Sequence, residues 1–294
     1  MSNIVKSEFK AIETRFVELT DKNTFEKECS FALQLFSKNE FLNKATTESK
    51  LQAVLNVANI GLTLNPALKF AYLVPRSRKV GGQYIVEACL EPSYQGLVKL
   101  ITDTGSAKTI YAHLVYEGDE FQEILGTGVE IRHVPKRQSK EVVLVYAVAV
   151  LHDGTKQVDV MPISDIHEIR AMSESYKAWE KNNALPCVWN THFGEMARKT
   201  VIRRLTKYLP KTDRFEKVAK AIELDNSDYK ASAVQVSVIE GLLITANIDE
   251  NEKDRISHNL NDISSQDAAK LINYLKENNI ESNPQKQWEQ RLDR

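Results

Sequence analysis

The hydrophobic pattern of this chain changes to period two near residue 68, and this change most limits the folds it can adopt. Residues 69–76 alternate between apolar and polar side chains, and the alternation returns in residues 83–89 after the Gly81-Gly82 pair. Such alternation is typical of a half-buried strand, and a Gly-Gly pair between two alternating runs favours a tight turn. The pattern therefore predicts a β-hairpin.

The segments after this hairpin are short and follow one another closely. Strands are expected at residues 107–118, 119–124, 128–134, 142–152 and 155–161. Asp153-Gly154 supplies a tight turn between the last two strands, and a short helix at 93–105 precedes the series. Consecutive hairpins indicate an antiparallel sheet, because parallel strands need long crossover connections.

Helical periodicity dominates both ends of the chain. Residues 24–37 and 46–61 read as two helices, and Gly61 suits a left-handed cap at the end of the second. Residues 237–247 and 264–279 read as two amphipathic helices separated by the polar run 249–257. The predicted fold class is α+β: an antiparallel β-sheet, made of a hairpin and a meander, packed with helices and followed by a small C-terminal helical module.

Length and composition set the domain organisation. The 294 residues are expected to form one domain over residues 1–222, a linker at 223–233 and a helical module at 234–294. No apolar run approaches the roughly 20 residues that cross a bilayer, which argues against a membrane protein. The three widely spaced cysteines and the absence of an apolar N-terminal run favour a cytoplasmic protein.

The formal net charge of −1 conceals an uneven distribution. Residues 223–294 carry 14 acidic and 8 basic side chains, so residues 1–222 have a net charge of +5. Within residues 195–220, nine basic side chains outnumber three acidic ones. A phosphate backbone is the partner that such a basic segment favours.

This basic segment also reads as an amphipathic helix that follows a polar connection at residues 173–186. Its apolar positions recur every three or four residues and fall on one face. They are Phe193, Met196, Ala197, Val201, Leu205 and Tyr208. The cations of the segment are Arg198, Lys199, Arg203, Arg204 and Lys207. We expect the opposite face to be cationic and to contact an anionic partner, with Lys199, Arg203 and Lys207 forming one stripe at i, i+4 and i+8 spacing.

Aromatic side chains lie among cations and amides in the central part of the chain as well. The bases of single-stranded nucleic acid stack on aromatic rings while cations contact the phosphates. The candidates for such contacts are Arg76, Arg78 and Lys79 on the hairpin, and Tyr94, Gln95, Lys99, Lys108 and Tyr111 on the following helix and strand. Phe70 and Tyr72 alternate along the first strand and are expected in the core.

The sequence motifs give little support for an enzyme. The chain contains neither phosphate-binding glycine motif of nucleotide-binding proteins and no G-x-S-x-G nucleophile turn. A metal-dependent nuclease stays open as an alternative, because Asp119, Glu120, His133 and His152 fall in or beside predicted strands. Asp119 and Glu120 are adjacent and would point to opposite faces of a strand, which favours solvated turn carboxylates. A plain single-strand protector is the second alternative, and composition does not separate it from an annealing protein.

Four motifs, in this order, resemble the RecT family of phage and prophage single-strand annealing proteins. They are IGLTLNPALKFAYLVP at 60–75, SYQGLVKLITDTGSAKTIYAHLVYEGDEF at 93–121, HVP at 133–135, and W-x5-EMARKTVIRRLTKYLP at 189–210. The resemblance covers roughly residues 50–212. One departure is Gln95, which stands where many members have the lysine of a G-Y-K-G turn, so Lys99 or Lys108 would have to replace that cation.

The resemblance implies an ATP-independent protein that binds single-stranded DNA, forms rings or filaments along it and pairs it with a complementary strand. It implies a non-enzyme without a cofactor, with Mg²⁺ left open as an aid to annealing. The implied partners are single-stranded DNA, annealed duplex, further copies of the chain, a 5′-to-3′ exonuclease and the host single-strand-binding protein, all in the bacterial cytoplasm. The C-terminal module would bind one of the protein partners; the alternative is a solubilising acidic tail with two helices.

The same resemblance implies where DNA binds. Family subunits hold the DNA backbone in a deep, positively charged groove between a sheet and a helical layer, with the bases left free to pair. Arg198, Lys199, Arg203 and Arg204 match the basic helix of that groove. Tyr94 matches the tyrosine of the Y-x-G turn, and Lys108 matches the cation before the next strand.

Overall fold

The structure is a computed structural model that describes residues 2–80, 83–126, 128–226, 233–260, 263 and 265–278. The fold is α+β, with antiparallel strands packed against helices, which confirms the predicted class. The chain divides into two compact units, the first formed by Met1–Arg78 and Ile85–Asp225 and the second by Lys79–Tyr84 and Asn226–Arg294. The predicted Gly81-Gly82 turn lies outside the described residues.

The first unit contains most of the elements. Its helices are α1 (Ser2–Leu19), α2 (Lys22–Lys38), α3 (Glu40–Asn43), α4 (Thr47–Ile60), α5 (Tyr94–Asp103), α6 (Ile163–Met172), α7 (Glu174–Lys181), α8 (Val188–Thr191), α9 (Phe193–Leu205) and α10 (Glu216–Asn226). The strands are β1 (Ala71–Val80), β2 (Gln83–Pro92), β3 (Thr109–Tyr116), β4 (Glu120–Ile124), β5 (Glu130–Val134), β6 (Val142–Val150) and β7 (Lys156–Pro162). A 3₁₀ turn, Thr206–Tyr208, extends α9.

Caps in the sequence set the ends of the N-terminal helices. The Asp21 carboxylate accepts a hydrogen bond from the Thr24 N–H at 2.9 Å and starts α2. Gly61, at φ 73°, ends α4 in the left-handed conformation, as predicted.

The buried Glu28 on α2 fixes the loop after α4, because its carboxylate accepts hydrogen bonds from the Leu64 N–H at 2.8 Å and from the Thr63 hydroxyl. Burial raises the pKa of Glu28.

In the part of the chain that the structure describes, the strands form three separate antiparallel groups and not one continuous meander. β1 pairs with β2, β4 pairs with β5, and a three-stranded sheet has the order β3-β6-β7. β3 and β6 therefore pair across an inserted β4–β5 ribbon, with Tyr111 opposite Val148. The alternation pattern located these strands but carried no information on which non-adjacent strands pair.

Helices α5 and α9 pack against one face of the three-stranded sheet. Ile110, Ala112 and Leu114 of β3 are buried in the core that also contains Val201 and Leu205 of α9. The β4–β5 ribbon covers part of the other face, where Phe121 and Ile131 pack against a cluster of Val115, Tyr146 and Val148. The sheet thus separates a helical layer from the ribbon.

The start of α5 is fixed by a close approach between two backbones. The Ser93 hydroxyl accepts the Gly96 N–H at 3.0 Å and donates to the Lys69 carbonyl at 2.6 Å. A Cβ atom at Gly96 would lie 2.1 Å from the Phe70 carbonyl oxygen, so only glycine fits there. This arrangement holds the first turn of α5 beside the strand that follows Phe70.

Two polar segments that were expected to be irregular are helical. Residues 174–181 form α7, in which Tyr176 lies under the Arg170 guanidinium at 4.6 Å from the ring centroid. In the second unit, the polar run 249–257 lies largely within α12 (Glu250–Asn259), between α11 (Ala233–Thr245) and α13 (Ser265–Glu277). Neither helix has a buried residue. Both are rich in Glu and Lys, which favour helices.

The second unit has its own small core. It contains Ile239, Leu243 and Ala246 on or just after α11 together with Ala268 and Leu275 on α13. The predicted linker at 223–233 begins inside the last turn of α10, and residues 227–232 lie outside the described part of the chain. Among the described helices, none is long and apolar enough to cross a membrane.

Candidate nucleic-acid interface

A groove of about 830 Å³ runs beside β3 in the first unit. Strand β3 lies at one edge of its sheet, and the groove is bordered by that strand and by helices α5 and α9. The polar and aromatic side chains that line it are Phe70, Tyr94, Gln95, Lys99, Thr102, Tyr111, His113, Glu195 and Arg198. The groove thus brings together Tyr94, Gln95, Lys99, Tyr111 and Arg198 from the sequence-based candidates.

Local structure explains why these side chains converge. Strand alternation buries Ile110, Ala112 and Leu114 and leaves Tyr111 and His113 exposed, with ring centroids 5.6 Å apart. The Ser93 cap places Tyr94 and Gln95 at the start of α5, where the Gln95 amide donates to the Tyr94 hydroxyl at 3.3 Å. The result is a row of rings with hydrogen-bonding groups between them.

Both cations of the groove are paired with carboxylates of their own helices. Arg198 Nη1 lies 2.9 Å from Glu195 Oε1, and the Lys99 ammonium pairs with Asp103. The Lys99 Nζ atom also lies 5.8 Å from the centroid of the Phe70 ring. Exposed pairs of this kind contribute only about 0.2–1 kcal/mol, so a phosphate oxygen can replace either carboxylate at low cost.

The prediction that the cations of α9 form an accessible stripe is wrong. Lys199 is only 7% exposed and pairs with Asp225, and Arg203 Nη1 lies 2.7 Å from Asp225 Oδ2. Asp225 itself is 7% exposed and lies near the end of α10. These two cations therefore join α9 to α10 inside the unit.

Arg204 also makes internal contacts. Its Nε and Nη2 atoms donate to the Asp159 carboxylate at 2.7 and 2.5 Å, and Nη2 also donates to the Val160 carbonyl at 2.6 Å. The hydrogen bond to Asp159 raises the pKa of Arg204. This fork-shaped contact ties α9 to β7. Periodicity could not reveal it, because Asp159 lies 45 residues away in the sequence.

The remaining candidates lie outside the groove. Lys108 is exposed just before β3, and Lys207 is exposed in the 3₁₀ turn beside Tyr208, which is 64% exposed and not part of the apolar face. Arg76 pairs with Glu91 across the hairpin. The side chains of Arg78 and Lys79 lie outside the described residues.

Two expectations about aromatic residues also change. Tyr72 is 46% exposed and not part of the core, and burial, followed by the charge of Glu195, raises its pKa. Phe70 is partly buried but lines the groove. His113 was missed from the sequence, although its position two residues after Tyr111 places both rings on the same side of a strand.

The residues of the nuclease alternative have structural contacts. The Asp119 carboxylate accepts backbone N–H groups from Tyr116 at 2.9 Å and Lys136 at 2.6 Å, and lies 3.1 Å from His133 Nε2. These backbone hydrogen bonds lower the pKa of Asp119 to about 2. Within the residues that the structure describes, no three His, Cys, Asp or Glu side chains cluster in a way that could hold a metal ion.

Comparison with known proteins decides the family. The model of the RecT family matches residues 26–235 of this chain. The chain belongs to the RecT family. It is 32% identical over 225 residues to Protein RecT of Escherichia coli (strain K12), a match that covers 74% of this chain and 80% of that protein. It is also 25% identical over 190 residues to the uncharacterized protein YqaK of Bacillus subtilis (strain 168), covering 64% of this chain and 60% of that protein. Family membership supports a single-strand annealing protein of DNA recombination.

Proposed function

We propose that the groove beside β3 binds single-stranded DNA and that the protein anneals this strand to its complement without ATP. The observation that carries the proposal is the convergence of Tyr94, Tyr111 and His113 with Lys99 and Arg198 in one groove. Rings accept bases of any sequence, while cations contact phosphates. The composition of the groove therefore suits a strand held without regard to its sequence.

The ion pairs of the groove provide a physical route for binding. A phosphate replaces Glu195 at Arg198 and Asp103 at Lys99, and it releases the counterions of the DNA as it does so. Neutralising one backbone weakens its repulsion for a complementary strand. Base pairing then supplies both the specificity and the free energy, at about 1.4 kcal/mol per base-pair step, so nucleotide hydrolysis is not required.

Further copies of the chain would extend this groove along the strand as a ring or filament. In this proposal the second unit, with its excess of acidic residues, contacts a 5′-to-3′ exonuclease or the host single-strand-binding protein. No cofactor is required, and Mg²⁺ acts only by screening the two backbones. Annealing with and without Mg²⁺, at matched ionic strength, tests this last statement.

Arg198→Ala provides the main test, with Arg132→Ala as its matched control. Arg132 is exposed on β5 and does not line the groove. We expect Arg198→Ala to weaken binding to labelled oligo-dT and to flatten the dependence of log K on log salt by about 0.7, the value for one phosphate contact on a single strand. It should also slow ATP-free annealing followed by energy transfer between dyes on two complementary strands. Equal behaviour of the two variants would remove Arg198 from the interface.

The alternatives give different results in the same assays. A plain protector binds oligo-dT but slows annealing of the coated strands. A nuclease shortens labelled strands in Mg²⁺ or Mn²⁺ and loses this activity in Asp119→Ala. We expect faster annealing and intact strands from the wild-type protein.

A further inference from the structure

A second cavity, of about 360 Å³, opens beside the groove on the ribbon side of the sheet. His113 and Arg198 line both cavities, so the two spaces adjoin along β3. The other walls come from β6, β5 and the segment after β5, which contribute Tyr146, His133 and Arg137. The volume is near the lower limit for cavities that bind small molecules, and it suits a ligand of nucleotide size.

Aromatic rings form the base of this cavity. The His113 and Tyr146 ring centroids lie 5.8 Å apart, and those of His133 and Tyr146 lie 5.6 Å apart. Tyr146 is buried and the His133 side chain is 10% exposed, whereas His113 is exposed. Of these three rings, His113 is therefore the accessible one, and it continues the row that Tyr111 begins in the groove.

Arg137 is held beside the cavity by an unusual backbone. Its φ angle of 57° is in the left-handed region, which is unfavourable for a residue other than glycine. Asp119 stabilises this turn by accepting the Lys136 N–H, and its carboxylate is only 1% exposed. Positions with such strained backbones often serve a function. Within the described part of the chain, Arg137 makes no ion pair with a carboxylate.

The accessible charge of the cavity is positive. The Asp119 carboxylate is covered by the Tyr116 and Lys136 N–H groups and by His133. Arg137 and Arg198 remain accessible, and the ion pair that Arg198 forms within the described residues is with the exposed Glu195. Burial, with smaller effects of Arg198 and His133, lowers the pKa of His113, which favours the neutral ring, a surface suited to stacking.

We propose that this cavity holds one nucleotide of the bound strand, with its base against His113 and its phosphate between Arg137 and Arg198. The inference rests on the proposed function, because the groove brings the strand to the cavity. A base held there is separated from its neighbours and cannot pair while it stays. The complementary strand therefore has to draw this nucleotide out, and each subunit delays annealing at one position.

Binding to two short polymers tests this inference: oligo-dT and an abasic oligonucleotide of the same length, which keeps the phosphates but lacks bases. Arg137→Gln should weaken binding to both polymers and flatten the salt dependence by about 0.7. Arg132→Gln removes the same charge from β5, outside the cavity, and should change neither quantity. The thermal unfolding temperatures of both variants should match the wild type, since both side chains are exposed.

His113 tests the contact with the base. His113→Ala should lower the preference for oligo-dT over the abasic polymer by about tenfold, within the range for one stacked base. His113→Phe keeps a ring and should retain the preference. The inference is overturned if Arg137→Gln behaves like Arg132→Gln, or if His113→Ala keeps the full preference while the wild type binds and anneals normally. Wild-type protein that fails to bind oligo-dT would instead contradict the proposed function.

Discussion

Glu195 restrains DNA binding in the proposed groove, and its replacement should strengthen that binding. Glu195→Gln removes the carboxylate that lies 2.9 Å from Arg198 Nη1 and keeps the shape of the side chain. The Arg198 and Glu195 side chains are 26% and 49% exposed, so their pairing contributes about 0.2–1 kcal/mol. The free protein loses this stabilisation, whereas the DNA complex, in which a phosphate replaces Glu195, loses none of it.

A second contribution comes from the charge of Glu195 itself. A carboxylate about 7 Å from a bound phosphate repels it by about 0.6 kcal/mol in a medium close to water. The two effects together amount to about 0.8–1.6 kcal/mol, which corresponds to roughly fourfold to fifteenfold tighter binding per contact. Anisotropy of labelled oligo-dT at several salt concentrations measures this change.

The matched control is Glu223→Gln. Glu223 pairs with Lys220 at the same i,i+3 spacing and 2.9 Å distance, but on α10 and outside the groove. The Glu223→Gln substitution should leave DNA binding unchanged. A spectroscopic check is also available, because Glu195 contributes to the raised pKa of Tyr72, and Glu195→Gln should lower that pKa. Equal or weaker binding of Glu195→Gln relative to Glu223→Gln would refute the role of Arg198 as a phosphate contact.

Three further predictions concern the fold. Asp225→Asn leaves Lys199 buried without a compensating charge and should lower the free energy of unfolding by about 3 kcal/mol or more, measured with urea. Gly96→Ala places a Cβ atom 2.1 Å from the Phe70 carbonyl oxygen and should cost at least about 3 kcal/mol; an unchanged melting temperature would contradict this close approach. Asp119 has a pKa of about 2, below its ordinary 3.8, so its ionised form stabilises the fold above about pH 4 and this contribution is lost as the pH falls through about 2. Asp119→Asn should therefore lower stability at pH 7 and flatten the loss of stability between about pH 4 and 2, as followed by circular dichroism.

Features that depend on neighbouring residues could be predicted from the sequence. Gly61 and Gly154 adopt left-handed backbones, at φ 73° and 86°, where a helix cap and a hairpin turn were expected. A strand was expected at 107–118, and β3 occupies Thr109–Tyr116, with Tyr111 on its exposed side. Each of these features follows from the conformational preferences of a few consecutive residues.

Features that depend on distant residues could not be predicted in this way. The pairing of β3 with β6 joins strands separated by the whole β4–β5 ribbon. Arg203 meets Asp225 across 22 residues, and Arg204 meets Asp159 across 45. A cation that binds DNA and a cation that joins two elements have the same helical spacing. Only the position of the carboxylate in the folded chain distinguishes them.

The internal ion pairs change the role of the basic helix without removing it from the interface. Lys199 and Arg203 hold α9 to α10, and Arg204 holds it to β7, while Val201 and Leu205 pack in the core. A helix fixed on these sides has little freedom to rotate or slide, so the position of its first turn is well defined. Glu195 lies in that turn and Arg198 in the next, and both line the groove. We propose that the paired cations support DNA binding indirectly, because they hold Arg198 at a constant distance from the rings of β3 and α5.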